Sequence, residues 1–165
     1  MKNIPKTMNA VLLTGHGGLE KLEYKTDIPV PVPKDDEVLI KVTAAGINNT
    51  DINTRTAWYS KYKSNAGGSW SGAPLKFPLI QGADVCGVIV STGPKVNKSR
   101  IEERVIARTM QADPKNPQNP NMITLGSELN GAFAQYVTIR SSETFSVNCK
   151  WSDAELGSIP CSYST

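Results

Sequence analysis

Residues 82–93, with the sequence GADVCGVIVSTG, constrain the fold more than any other part of the chain. The apolar run at residues 88–90 predicts a buried strand. Glycines flank this strand on both sides, which favours tight bends or a close backbone approach where a Cβ would clash. Asp84 lies between these glycines, and we expect its carboxylate to hold backbone N–H groups of a loop.

The composition is typical of a soluble, turn-rich globular domain. The 165-residue chain is 39% hydrophobic and 20% charged, with 13 Gly and 11 Pro, which favours one β-rich domain. The net charge is +3 and the basic residues are scattered, so neither nucleic acid nor a membrane surface is a predicted partner. No segment approaches a signal peptide or the roughly 20 apolar residues of a membrane span, and a cytoplasmic location is therefore expected.

The cysteines and the histidine argue against a disulfide framework and a metal site. Cys86, Cys149 and Cys161 are odd in number and contain no CxxC pair, which favours a reducing compartment and no cysteine-based zinc. The only histidine, His16, lies in a glycine-rich turn. A solvent-exposed turn residue is favoured there over a catalytic base, since no partner is evident nearby.

Short apolar or alternating segments predict seven or so strands joined by turns. The clearest is residues 37–43, where buried and wet positions alternate. The alternating prolines of residues 28–33 indicate an extended connector or an edge, and residues 111–122 indicate an exposed loop. The remaining predicted strands are residues 9–14, 21–24, 104–107, 131–139 and 143–147. This pattern predicts a β-barrel-like or partly open β fold.

Two short helices are predicted from capping residues. Asn49 or Thr50 could cap a helix that ends near residue 56. Ser152 and Glu155 have the spacing of a capping box, so a second helix is expected to begin at Ser152, with Pro160 interrupting or kinking it.

A long segment, residues 57–78, is rich in Ser, Gly and aromatic side chains. Its aromatic residues are Trp58, Tyr59, Tyr62, Trp70 and Phe77. Such a loop is either functional or a cover for the core, and the sequence alone leaves both interpretations open.

Four motifs in a fixed order carry a family resemblance. They are VLIKV leading into AGINNTD (residues 38–51), GADVCGVI (82–89), RVI (104–106) and GAFAQYV (131–137). In this order the chain resembles the N-terminal, GroES-like catalytic domain of the medium-chain dehydrogenase/reductase superfamily, which includes zinc-type alcohol dehydrogenases and quinone oxidoreductases. The resemblance covers nearly all of residues 8–161 and implies a mainly β fold, a GroES-like partly open β-barrel with short helices.

Two departures from the zinc enzymes imply a metal-free site. Asn48 stands where zinc-dependent members have a Cys, and Ala83 stands where they have a His. A carboxamide is a poor zinc ligand and a methyl group is none. Residues 108–128 also lack the cysteines of the structural zinc lobe. The pattern instead resembles the zinc-free quinone oxidoreductases and enoyl reductases, which use NADPH to reduce activated alkenes or quinones, and no zinc is expected.

The resemblance also nominates site residues. Without a Lewis acid, charge on a substrate oxygen must be stabilised by hydrogen-bond donors. Asn48 could orient the nicotinamide or the substrate, or be a structural helix cap. Thr50 matches the proton-relay hydroxyl of the zinc enzymes, although no metal-bound alkoxide is expected here. Tyr59 matches a tyrosine of the quinone oxidoreductases and could donate to the substrate, or be an aromatic lid. Asn48 and Cys161 are the expected cofactor contacts, whereas Asp51, like Asp84, is expected to hold backbone N–H groups.

The sequence stops where a cofactor domain would begin. No GxGxxG follows a strand, and 165 residues leave no room for a Rossmann domain. We expect residues 1–160 to form the GroES-like domain and residues 161–165 to begin the link to a Rossmann domain absent from this chain. NADP(H) or NAD(H) would bind mostly in that domain, so the isolated fragment is expected to be inactive.

Three functional hypotheses follow. The first is the catalytic domain of an NAD(P)H-dependent oxidoreductase that reduces quinones or activated alkenes and carbonyls by hydride transfer without metal. The others are a zinc-type alcohol dehydrogenase fragment with an altered metal site, and a non-catalytic GroES-like binding module. The expected partners are a small-molecule substrate and the cofactor domain; a homodimer, the substrate's identity and the choice between NAD and NADP are left open.

Overall fold

The computed structural model describes residues 4–62, 68–71, 74–114 and 122–163. Within these residues the chain forms ten strands, three α-helices and four short 3₁₀ segments. The strands are β1 (Thr7–Leu13), β2 (Leu22–Pro29), β3 (Glu37–Ala44), β4 (Leu79–Ile80), β5 (Cys86–Thr92), β6 (Arg104–Ala107), β7 (Met110–Ala112), β8 (Met122–Thr124), β9 (Tyr136–Arg140) and β10 (Thr144–Ser146). The α-helices are α1 (Asn49–Arg55), α2 (Asp153–Leu156) and α3 (Pro160–Tyr163). The 3₁₀ segments are Leu19–Lys21, Trp58–Tyr62, Lys98–Arg100 and Ser141–Glu143.

The strands assemble into one large antiparallel sheet and two smaller ones. The large sheet has the order β10-β6-β5-β3-β9, a second sheet has the order β2-β1-β4, and β7 pairs with β8. In the large sheet Ile40 of β3 lies opposite Ile89 of β5 and Val137 of β9. These apolar side chains belong to the main buried core, because β3 and β5 each direct alternate residues inward. The expected mainly β fold with short helices is confirmed.

The strand predictions were most accurate where burial alternates along the chain. Residues 37–43 form most of β3, and residues 104–107 form β6. The predicted strand at 131–139 begins only at Tyr136. Residues 131–133 instead donate their N–H groups to carbonyls of residues 80–82, so this backbone closes a loop. The three additional strands are two or three residues long, too short for a periodic signal.

The loop predicted at residues 111–122 is only partly described. Gln111 and Ala112 belong to β7, and Met122 begins β8, so both ends of the predicted loop are strand. Residues 115–121 lie outside the described residues. The proline-rich segment at residues 28–33 is partly strand, because its first two residues, Ile28 and Pro29, end β2. This strand lies at the edge of its sheet, where the missing N–H of a proline is tolerated.

The helix caps required two corrections. Asn48, not Asn49 or Thr50, caps α1. Ser152 and Glu155 form the predicted capping box of α2. Pro160 does not kink that helix but begins α3, where its missing N–H has no helical partner to lose. Across the described ranges, no helix combines the length and apolar character needed to cross a membrane.

Gly82 lies where three loops meet, directly before β5. Its φ of +105° is in the region that favours glycine. A Cβ there would lie 2.7 Å from the backbone nitrogen of Phe133. Gly126, with φ of +77°, approaches from another side, and its Cβ would lie 2.8 Å from the nitrogen of Gly82. The close backbone approach expected from the glycines is therefore an approach to neighbouring loops.

Candidate active site

A cavity of about 180 Å³ opens beside the N-terminus of α1. Its walls come from α1, the 3₁₀ segment that follows, Trp70, β7 with the preceding Thr109, β8 and α3. The lining residues are Asn48, Asn49, Thr50, Asn53, Tyr59, Trp70, Thr109, Met110, Thr124, Cys161 and Ser162. All four site residues nominated from the sequence, Asn48, Thr50, Tyr59 and Cys161, thus line one cavity, and their functional roles stay predictions.

Thr50 and Tyr59 form a hydroxyl pair in the cavity wall. Thr50 Oγ1 and the Tyr59 hydroxyl are 3.0 Å apart, and either can donate. After α1 ends, Ala57 adopts a φ of +56°, and the next turn contains Tyr59. Both side chains are half-buried. Two hydroxyls carry two protons and share one hydrogen bond, so the pair retains a proton that it can direct at a bound molecule.

Asn48 has a structural role in this wall. Its Oδ1 accepts from the Thr50 N–H at 3.2 Å, and its own N–H donates to Asp51 Oδ2 at 2.9 Å. Its Nδ2 donates to Ser162 Oγ at 3.3 Å, which links α1 to α3. Asn48 therefore caps α1, and its contact with a cofactor or substrate stays a prediction. The bond to Ser162 uses one of the two N–H groups of the carboxamide.

Two buried carboxylates form the floor beneath the cavity. Asp51 Oδ1 accepts from the Gly82 N–H at 3.1 Å, and Asp84 Oδ1 accepts from the Cys161 N–H at 2.6 Å. Burial raises the pKa of Asp51. Burial, with a smaller contribution from the charge of Asp51, raises the pKa of Asp84 to about 6. Neither residue lines the cavity. The prediction that both carboxylates hold backbone N–H groups is confirmed, although the group held by Asp84 belongs to the first turn of α3 and not to a loop.

Cys161 joins the floor to the cavity. Its backbone is bound by Asp84, and the residue is 5% exposed where it lines the cavity. Burial, together with the nearby charges of Asp84 and Asp51, raises the pKa of the Cys161 thiol to about 11. The side chain is therefore a neutral thiol near neutral pH, which suits packing against a bound molecule better than nucleophilic attack.

Several lining residues were not predicted from the sequence. Thr109 and Thr124 come from the β7–β8 ribbon, and Ser162 from α3. The Thr109 hydroxyl donates to the carbonyl of buried Ala83 at 3.0 Å. Trp70 belongs to the aromatic segment of residues 57–78, for which the sequence assigned no role to any single residue except Tyr59. The aromatic content of residues 57–78 was the one available signal, because the ribbon residues form no motif.

His16 does not fit the expectation of an exposed turn residue without a partner. It is half-buried, and its Nδ1–H donates to the carbonyl of Thr54 at 3.0 Å. Its ring contacts Phe77 edge-on, with ring centroids 4.9 Å apart. The partner was missed because Thr54 is 38 residues away in sequence. His16 secures the C-terminal end of α1 and does not line the cavity.

The side chains around the cavity do not form a recognisable metal-binding set among the described residues. In the described part of the chain, no group of three or more His, Cys, Asp or Glu side chains is arranged to hold a metal ion. The Asn48 carboxamide is engaged by Thr50 and Ser162, and Ala83 offers only a methyl group. The absence of zinc from the intact protein stays a prediction.

Comparison with known proteins agrees with the fold. Residues 34–148 match the alcohol dehydrogenase GroES-like domain family. The chloroplastic NADPH-dependent alkenal/one oxidoreductase of Arabidopsis thaliana is 34% identical over 116 residues, which are 70% of this chain and 27% of that protein. The quinone oxidoreductase of Homo sapiens is 38% identical over 100 residues, which are 61% of this chain and 27% of that protein.

A solved structure extends the similarity to almost the whole chain. A Sinorhizobium meliloti 1021 protein described as an alcohol dehydrogenase superposes with a TM-score of 0.86 at 39% identity, over 99% of this chain and 46% of that one. The chain therefore spans less than half the length of these relatives. With the family match and the mainly β fold taken together, the chain belongs to the alcohol dehydrogenase GroES-like domain family of the medium-chain dehydrogenase/reductase superfamily.

Proposed function

We propose that this chain is the substrate-binding, catalytic part of a nicotinamide-dependent reductase that acts on quinones or activated alkenes without a metal ion. The observation that carries the proposal is the Thr50–Tyr59 hydroxyl pair, 3.0 Å apart in the cavity wall. The relatives named as alkenal/one and quinone oxidoreductases support this substrate class.

The residues at one end of the cavity fit a nicotinamide group. Asn48 and Ser162 present an amide and a hydroxyl, which together can donate to and accept from a carboxamide. Asp51 and Asp84 are engaged by backbone N–H groups and do not line the cavity. When bound, the nicotinamide would supply the hydride. We propose that a dinucleotide-binding domain beyond residue 165 completes this site in the intact protein.

The hydroxyl pair would perform the work that a metal ion performs in zinc enzymes. Tyr59 donates a hydrogen bond to the carbonyl oxygen of the substrate and stabilises the negative charge that develops there. Thr50 donates to Tyr59 in turn, which stabilises the phenolate left when Tyr59 gives its proton to the substrate, and solvent water then returns a proton to Tyr59. A positioned proton donor of this kind contributes about 10²–10⁴-fold in rate.

The proposal is tested with the intact protein, NADPH and two probe substrates, para-benzoquinone and the linear enal hexenal. We expect at least one of them to be reduced, and the rate to survive dialysis against a chelator. A parallel assay offers NADP⁺ and a simple secondary alcohol. Alcohol oxidation lost on chelation and restored by zinc would instead support a zinc-type enzyme. Failure to turn over any of the three substrates would support a binding module. The isolated 165-residue chain serves as the control that should not consume NADPH.

A further inference from the structure

We propose that Glu128 is a positioning residue: through Ser71 it fixes Trp70 as one wall of the cavity, and this wall makes the site favour flat conjugated rings over linear chains of similar size. The inference rests on the proposed function and narrows its substrate class. It concerns residues that neither the sequence motifs nor the hydroxyl pair involve.

The Glu128 carboxylate bridges two walls of the cavity. Its Oε2 accepts from the Thr124 N–H at 2.8 Å, and its Oε1 accepts from the Ser71 hydroxyl at 2.5 Å. Ser71 Oγ also lies 3.0 Å from Ser69 Oγ, and Ser69 is 1% exposed. Hydrogen bonds to a carboxylate are stronger than those between neutral groups. Thr124 and Trp70 both line the cavity, so the carboxylate connects β8 to the aromatic segment.

The base of this bridge is rigid. Glu128 lies in a tight turn in which Ser127 and Leu129 both donate their N–H groups to the carbonyl of Thr124. The same turn contains Gly126, which packs against the backbone of Gly82. Ser71 is 57 residues from Glu128 in sequence, so this bond orders a segment that is distant along the chain.

The position of the Trp70 ring depends on the hydrogen bond between Ser71 and Glu128. Trp70 stands between Ser69 and Ser71, and 50% of its surface is exposed where it lines the open cavity. A half-exposed indole loses rotational freedom when it is fixed, and its packing compensates for only part of that loss. The Ser71–Glu128 bond holds the adjacent backbone, which lowers the entropy lost on binding a substrate against the ring.

The geometry of the cavity suits a small flat ring. Trp70 and Tyr59 both line it, and aromatic faces prefer offset-stacked or edge-on contacts with another conjugated ring. A linear enal can fill the same space but presents no ring face to Trp70.

The test compares para-benzoquinone with hexenal in the intact protein. Ser71→Ala should raise the KM for para-benzoquinone about tenfold, with kcat for either substrate and the KM for hexenal changed less than about twofold. Glu128→Gln should act in the same direction, because an amide NH2 group replaces one of the two accepting oxygens and the charge that strengthens both bonds is lost. Ser71→Thr keeps the hydroxyl and should restore the parent values. Ser99→Ala, at an exposed position far from the cavity, is the matched control.

A second readout does not depend on turnover. These 165 residues contain three tryptophans, so Trp58→Phe and Trp151→Phe, together with Phe at every tryptophan elsewhere in the intact protein, leave Trp70 as the only indole. In that background Ser71→Ala should increase quenching of the indole by acrylamide at least about twofold relative to Ser99→Ala. Equal KM changes for both probes, or unchanged quenching, would overturn the proposal that Glu128 fixes Trp70 through Ser71. If neither the parent nor any variant reduces either probe, the proposed function fails. The quenching result alone then tests whether Glu128 fixes Trp70 through Ser71.

Discussion

Thr50 and Asp51 are neighbours in the first turn of α1, yet they belong to different regions of the molecule. Asp51 is 5% exposed and directs its carboxylate at backbone N–H groups of Gly82 and Asn48. Thr50 is half-buried and directs its hydroxyl at Tyr59 in the cavity wall. Successive helical residues point about 100° apart, so one turn can serve both the floor and the wall.

The difference shows that residue type alone is a poor guide to role in this site. Carboxylates are common acids and bases in enzymes, but both aspartates here are buried and bound to backbone N–H groups that stabilise their charged form. The neutral hydroxyls of Thr50 and Tyr59 are the groups open to a bound molecule. We therefore expect substitutions in the floor to affect stability and substitutions in the wall to affect activity.

The largest effect on stability is expected from Asp51→Ala. The N–H groups of Gly82 and Asn48 would both lose their acceptor, and each such loss costs about 1–3 kcal/mol. We expect the free energy of unfolding, measured with urea, to fall by about 4 kcal/mol. Asp35→Ala is the control, because Asp35 pairs with Lys95 at the surface and should contribute less than about 1 kcal/mol. Equal losses in the two variants would contradict a structural floor.

Asp84 should make stability depend on pH. Its pKa is raised to about 6 in the folded protein, so the folded state holds the proton more tightly than the unfolded state does. Its contribution to stability is therefore greatest below about pH 4, declines as the pH rises to about 6, and is constant above that, with a total change of about 2–3 kcal/mol.

The Asp84 effect is isolated by comparison with Asp84→Asn. The substitution removes the charge but keeps an oxygen for the Cys161 N–H. We expect the unfolding free energy of the parent to fall relative to that of the variant as the pH rises from about 4 to about 6. Urea unfolding at several pH values measures this, and a constant difference across the range would refute the prediction.

A smaller effect, confined to activity, is expected from Thr50→Val. The variant keeps the shape of the side chain but removes the hydroxyl bonded to Tyr59. We expect kcat of the intact enzyme to fall about tenfold, equivalent to about 1.4 kcal/mol, with little change in melting temperature. Thr50→Ser should retain most of the activity. A similar loss in both variants would place the effect on packing and not on the hydroxyl.

Much of the fold could be predicted from local pattern. Alternating burial located β3, and the spacing of Ser152 and Glu155 located α2, because these signals lie within a few residues. The strand predicted from residue 131 was wrong over its first half. The N–H groups of residues 131–133 bond to the loop around Gly82, a tertiary contact that no local propensity encodes.

The candidate site was predictable only where a motif marked it. Asn48, Thr50, Tyr59 and Cys161 were nominated through a family resemblance, and they do line one cavity. The bond between Ser71 and Glu128 could not be foreseen, since it joins residues 57 apart that belong to no motif. Sequence patterns therefore identified residues that line the cavity better than the contacts that position them.

The most direct test of the division between floor and wall is Tyr59→Phe in the intact protein, with kcat and melting temperature measured on the same preparation. The phenol hydroxyl is half of the proposed proton donor pair, whereas the ring that packs beside Trp58 is retained. We predict that kcat falls about 10²–10³-fold while the melting temperature stays within about 1 °C of the parent. Tyr24→Phe, at a position 65% exposed, should change neither quantity. A kcat for Tyr59→Phe within about twofold of the parent would contradict the account.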